Sequence, residues 1–446
     1  MAPAKSGLRF HTHGVASLWA VLIVGVIGCS SEDPLPAEKI TQPAGYLPRL
    51  NLTKNETLAS LLKSLKTNQG LPEQIRRRPI PRKDNAGPSL EALIPTAARK
   101  RIFDETQAFF PSESWDFSMT NWERAMRFLE KHDSTRISAR QAINGKQCNL
   151  EIDHTQALTI DLSIIYAIHA IARMEAISAR QSMNAGDLGA SVEAVNAMLA
   201  LARCLDEQTH ISCRLQAVHV RTDALLVLEA ICQHESTTRE VLLAASQAVD
   251  MALQDWPEER DAWRSDRALS LICYEYARSG NISSVLTAEE TEALNAEDQD
   301  ALARFEGQAV DADAVRYLEA MQHVIDQCGQ PLFRREGIAL ELPSGDSRDT
   351  VDPSTAGSAN TTFSLAKLLA ESIPQGQALF ALDRARMEAW QVGLSHATGE
   401  PAPAFQVSPL SGQAYRVIER DETVAVWGVG RTSVSADRPI VIRKIL

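Results

Sequence analysis

Residues 211–233 read "ISCRLQAVHVRTDALLVLEAICQ", and this stretch decides the fold. At helical spacing, Ile211, Leu215, Val218 and Leu225 share one face. Cys213, Ala217, Val220, Ala224, Val227 and Ile231 share roughly the opposite one. A helix that is apolar on two sides sits between layers of protein rather than on a surface. The stretch therefore predicts a helical stack with an interior helix.

Working outward, helix-period apolar spacing recurs over 52–66, 118–130, 154–182, 188–205, 238–254, 258–278, 287–304 and 309–328. Thr120 with Glu123, Thr237 with Glu240, and Thr287 with Glu290 match the capping box at helix starts. In Asp255-Trp256-Pro257-Glu258-Glu259, a proline opens a helix and acids fill its first turn, where the macrodipole favours them. Short connections such as "DEQTH" predict antiparallel neighbours. Residues 363–391 form a further helix, interrupted near Pro374-Gln375-Gly376. The period then changes. Residues 413–418, 423–428 and 439–445 are β-branched or aromatic and predict a small antiparallel hairpin or three-stranded sheet. The expected class is mainly α: an irregular antiparallel helical bundle or stack with a C-terminal β-module.

The N-terminal segment has a different character. Lys5 and Arg9 precede the apolar run "VASLWAVLIVGVI", residues 15–27, which has the length of a signal-peptide core. It ends on Val26-Ile27-Gly28-Cys29, which resembles the lipobox of bacterial lipoproteins. The resemblance implies cleavage between Gly28 and Cys29 and acylation of Cys29, with two or three chains giving stable anchoring where one gives only marginal binding. Ser30, rather than Asp, after the cysteine points to the outer membrane. Residues 30–50 carry Pro34, Pro36, Pro43 and Pro48 and form an extended tether of ~60 Å at ~3.1 Å per residue. The expected organisation is a signal peptide over 1–28, a tether over 29–50, and a helical domain over 51–340. A Ser/Thr/Gly/Asp-rich loop over 341–362 and a helix with its β-module over 363–446 complete it.

The chain has 446 residues, 44% hydrophobic and 23% charged, with a net charge of −12. A body this acidic is repelled by nucleic-acid backbones, which excludes nucleic acid as an expected partner. The expected partners are the membrane, through the lipid, and other envelope proteins. The basic run Arg76-Arg77-Arg78 with Arg82 and Lys83 reads as a solvated loop near the anchor.

Residues 195–233, with Arg203, Asp206-Glu207, Arg214 and Arg221, are similar to a helical pair in uncharacterised secreted or lipoprotein-like proteins of planctomycete bacteria. Residues 408–430, "SPLSGQAYRVIERDETVAVWGVG", resemble the C-terminal ending of the same group and, more distantly, the sheet of type II secretion pseudopilins. Ser408 stands where the pseudopilin pattern has Asp, and Arg431-Thr432-Ser433 replaces its Asp/Gly-rich run. The resemblance implies no reaction.

Candidate chemistry is sparse. Cys148, Cys204, Cys213, Cys232, Cys273 and Cys328 remain once Cys29 is assigned to lipid, and they read first as small buried hydrophobes. Cys204 and Cys213 flank one interhelix turn and are the local pair suited to a disulfide. Cys213 and Cys232 lie ~28 Å apart on one helix and cannot bond to each other. The cysteines and histidines of 204–234 match no zinc spacing, so no metal is expected. The sequence has no nucleophile elbow and no phosphate loop. Glu229 falls on the apolar face of 211–233 and calls for a buried partner, for which Arg203 or another arginine of a neighbouring helix is the candidate. No cofactor and no catalytic residue is assigned. The expected function is an anchored interaction or scaffold module. The alternatives are an enzyme or ligand binder whose site is assembled between helices, and a component of a secretion or pilus-like apparatus.

Overall fold

The computed structural model describes residues 55–75, 79–110, 119–150, 152, 160–281, 305–337, 364–401, 403–405, 407–430 and 439–444. Gly28, Cys29, the tether, Arg76–Arg78, the predicted helix over 287–304 and the loop over 341–362 lie outside them. The protein is mainly helical with a small C-terminal three-stranded antiparallel sheet. The helices are α1 (Glu56–Thr67), α2 (Gly87–Leu93), α3 (Thr96–Gln107), α4 (Met119–Ile143), α5 (Ser163–Asn184) and α6 (Leu188–Asp206). They continue with α7 (Ile211–Gln233), α8 (Arg239–Gln254), α9 (Glu259–Arg278), α10 (Gln308–Gln327), α11 (Leu365–Ala370) and α12 (Ile373–Thr398).

The chain forms two compact units. Of the described residues, the first holds 55–61, 271–281, 305–317 and 364–372, and the second holds the rest. In the first, Asp313 is fully buried and accepts from Tyr274 Oη at 2.8 Å, Ser364 Oγ at 2.7 Å and the Ala366 amide at 2.7 Å. One carboxylate thereby ties α9 and α10 to the start of α11.

The second unit is built around α5, α6 and α7. The α5–α6 turn is set by local chemistry. Gly186 takes φ +79° and returns its amide to the Met183 carbonyl. Asp187 then caps α6 through the Ala190 amide at 2.9 Å. At the next turn His210 caps α7, its Nδ1 accepting from the Ser212 amide. Helix α7 is buried on both faces, as its pattern requires, and packs on α5, α6, α12 and the sheet. Helix α6 is apolar and long enough to cross a membrane, yet 67% of that apolar window is buried inside the protein, which marks a core helix.

Some boundaries differ from those expected. α8 is capped by Thr238, whose hydroxyl accepts from Val241, while Thr237 turns inward to the Ile231 carbonyl. α9 begins at Glu259, two residues past Pro257. The break before α12 falls at residues 371–372, so Pro374 occupies the first turn of α12, where it lacks no bonded amide.

Strands β1 (Arg416–Glu419), β2 (Thr423–Trp427) and β3 (Ile440–Arg443) pair in the order β1-β2-β3, all antiparallel. Val424, Val426, Ile440 and Ile442 are buried. The sheet packs on α12, where a Cβ at Gly393 would meet Ile442 Cδ1 at 2.7 Å and Val426 Cγ2 at 3.0 Å. Only glycine allows that approach. The helix and β-module of 363–446 are thus not a separate body: from residue 373 onward they complete the second unit.

Candidate functional site

Arg214 and Arg221 are two helical turns apart on α7 and project to the same side. Asp206, the last residue of α6, meets both. Arg214 NH1 donates to its Oδ1 at 2.9 Å, and Arg221 NH1 donates to its Oδ2. Arg221 also reaches Asp383 on α12, Nε to Oδ2 at 2.8 Å. All four side chains are at most 4% exposed. Trp256 lies 4.7 Å from the Arg221 guanidinium and 5.6 Å from that of Arg214, and Phe380 lies 5.5 Å from the latter. Two cations and two anions cancel in a buried site flanked by two aromatic rings. Burial raises the Asp383 pKa against the pull of Arg221. Burial would lower the Arg221 pKa, but Asp206 and Asp383 overcome it and hold the guanidinium charged.

Two clefts lie on either side of this cluster. One, of about 710 Å³, runs between the ends of α4 and α8 over α6. Its floor includes Asp206 and Arg221, and Arg140 and Arg203 stand on its walls. Arg140 is committed to the buried Glu175, at 2.8 and 2.5 Å. The other cleft, of about 580 Å³, has Arg214 at its base and Trp256, Phe333, Phe380 and Phe405 among its walls. Two of its three carboxylates are held. Glu259 receives two bonds from Arg335, at 2.7 and 2.6 Å, and one from Trp263 Nε1 at 2.8 Å. Glu388 accepts from Arg384 at 2.8 Å and from Tyr415 Oη at 3.0 Å. Cys328 also lines this cleft, but burial, reinforced by Glu259, pushes its thiol pKa up to about 12. It is a protonated thiol and a poor nucleophile.

A second polar cluster joins α5 and α7. His169 Nε2 and Asp223 Oδ2 are 2.9 Å apart, Arg173 Nε bonds the same oxygen at 3.2 Å, and Gln216 meets His169 Nδ1. Burial depresses the His169 pKa to about 4 against the opposing effect of Asp223, so the imidazole is neutral at pH 7. Arg173 sits between the rings of Phe103 and Phe110, at 5.0 and 5.1 Å. His169 and Asp223 come from different helices, and no local motif links them. The available signal was a charged residue on a helix apolar all round, and it pointed to Glu229 instead.

The structure corrects two pairings. Arg203 pairs with Glu207 at 3.9 Å and Asp255 at 3.7 Å, not with Glu229. In the antiparallel α6–α7 hairpin Arg203 stands beside the start of α7, whereas Glu229 is roughly 27 Å farther along that helix by its rise. Glu229 is half-buried, accepts from Gln233 Nε2 at 3.4 Å and borders a small pocket with Arg386 and Trp390. Cys204 and Cys213 form no disulfide: both are free and buried. Gln208 closes their turn instead, donating to the Cys148 carbonyl at 3.0 Å and accepting from the Leu150 amide at 3.0 Å. The Cys213 and Cys232 thiols are pushed up by burial. Among the described residues no three His, Cys, Asp or Glu side chains converge as metal ligands. Arg82 and Lys83 are exposed in a short 3-10 turn.

Compared with known proteins, the chain matches no family model, no curated protein and no solved structure at a significant level.

Proposed function

We propose that this chain is an envelope-tethered ligand-binding protein. The lipobox-like Val26–Cys29 supplies the anchor through an acylated Cys29, and the proline-rich stretch to residue 50 holds the body off the membrane. The second unit carries the binding site. The observation that carries this reading is the 580 Å³ cleft, whose volume falls in the ~300–1,000 Å³ range of ligand pockets and whose wall combines aromatic rings with a few oriented polar groups. A scaffold module acting through its outer surface needs no such cleft. Glu259, Glu388 and Cys328 are each held in roles other than acid, base or nucleophile, and Glu258 is the one exposed carboxylate of the wall.

The test places a photo-crosslinking phenylalanine analogue at Phe333, inside the cleft, and separately at the exposed Ile137 on α4, in intact cells. Capture of one discrete adduct from Phe333 and none from Ile137 supports the reading. Equal capture from both, or none from Phe333, overturns it. Anchoring is tested separately: Cys29→Ser moves the protein from the membrane to the soluble fraction, and unchanged partition without lipid incorporation refutes the lipid assignment.

A further inference from the structure

Exposed rings and balanced charge meet in the 580 Å³ cleft, and together they define a ligand chemistry. Phe333 is 40% exposed and Val407 43%, although both are large and apolar, and both line this cleft beside Trp256 and Phe405. Phe333 is held in place. Gly412, at φ +70°, passes so close that a Cβ there would meet the ring at 2.8 Å, and Arg334 lies 5.4 Å from its centroid. A ring fixed in advance loses little freedom when a ligand covers it.

The charges of the cleft cancel locally. Arg214, Arg260, Arg335 and Arg384 on its wall are matched by Glu258, Glu259 and Glu388, and by Asp206 behind Arg214. Arg335 and Arg384 are paired with carboxylates at 2.6 and 2.8 Å. A wall so balanced has no net field to concentrate phosphate, a polyanion or a cation. It presents donors and acceptors side by side. A hydroxyl is both donor and acceptor in one group, so a ring of hydroxyls fits such a wall better than a one-sided charge does.

Resting on the reading of this cleft as the ligand site, we infer that it takes an uncharged oligosaccharide. The C–H face of a sugar covers Phe333 and Trp256. Its hydroxyls bond the outer edges of the Arg335–Glu259 and Arg384–Glu388 pairs. An uncharged ligand with an apolar face and a hydroxylated rim satisfies both halves of the wall at once.

The test is calorimetric titration of the purified full-length chain with cellohexaose, chitohexaose and maltohexaose, with a polyproline peptide and inorganic phosphate as comparison probes. The expected result is binding of at least one sugar, with an affinity that stays within about twofold between low and high salt because no charge is neutralised. Phe333→Ala weakens it about tenfold. Phe333→Trp, which keeps a ring, retains it. Failure of all three sugars to bind overturns the inference, as does binding of phosphate or the peptide alone, or an affinity that collapses with salt. If the sugars fail while the Phe333 crosslink still captures a ligand in cells, the saccharide class falls and the cleft stands. If that capture fails too, the cleft itself is the error.

Discussion

Arg221→Met is the perturbation with the clearest expected magnitude. In the native protein Arg221 bonds Asp206 and Asp383 simultaneously, and the two carboxylates are 4% and 2% exposed. Arg214 continues to hold Asp206 at 2.9 Å after the substitution, so Asp383 is the group left without its cation. Two routes give the cost. Breaking a buried ion pair by removing one partner costs ~3–5 kcal/mol. Alternatively, Asp383 takes up a proton on folding, which costs about 1.4 kcal/mol for each pH unit above its ordinary value of ~3.9, an upper bound of about 4 kcal/mol at pH 7 because burial already imposes part of that cost on the native carboxyl. The routes agree. The second also fixes the sign of the pH dependence. Burial already raises the Asp383 pKa, and losing Arg221 raises it further. A carboxyl whose folded pKa lies above its unfolded value loses stability as pH rises. The deficit of the variant therefore shrinks as pH falls, to about 1.5 kcal/mol at pH 5. Replacing both partners, Arg221→Met with Asp383→Leu, removes the orphaned charge and recovers at least half the loss. Urea unfolding followed by tryptophan fluorescence reads this directly, since Trp256 lies 4.7 Å from the Arg221 guanidinium. A loss under about 1 kcal/mol at pH 7, a deficit that does not shrink in acid, or a double variant worse than the single one would refute the reasoning.

Other outcomes follow from single features. His169 has a folded pKa of about 4, below its ordinary value, so the unfolded chain binds the extra proton between pH 6.5 and pH 4. Stability falls as pH is lowered through that window, by a total of the order of 3 kcal/mol, and His169→Gln flattens the slope measured by denaturation at each pH. Gly393→Ala places a Cβ 2.7 Å from Ile442 and 3.0 Å from Val426, which forces the sheet off α12. It costs ~1–3 kcal/mol, and amide exchange in β2 and β3 quickens more than in α5. Asp187→Ala removes the α6 cap and costs ~1 kcal/mol in thermal or urea unfolding, with Asp187→Asn close to native.

The helices were legible because burial writes its period into the chain. The 211–233 stretch alone announced an interior helix, and the change of period after residue 412 announced the sheet. Local turn chemistry was legible in part: the capping box of residues 237–240 placed the start of α8, but Thr237 and Thr238 could exchange roles until the hydrogen bond from Thr237 to the Ile231 carbonyl decided between them. The anchor reading belongs to the sequence entirely, since it rests on residues 15–29.

The polar interior was decided by tertiary structure. Arg214 and Arg221 were visible as charges on an otherwise apolar helix, but their partners were not. Asp206 is close in sequence and Asp383 is far away on α12. The same charge-on-apolar-face signal led to Glu229, which is only half-buried. Periodicity tells which way a side chain points around its own helix. It carries no information on the height at which another helix crosses, and an antiparallel hairpin separates Arg203 from Glu229 while long-range packing joins Arg221 to Asp383. The aromatic cleft has the same origin, because Trp256, Phe333, Phe380 and Phe405 come from four separate segments. Helix and sheet arise from short-range regularity and were fixed by residue order. The ion cluster and the cleft exist only where segments distant in sequence converge.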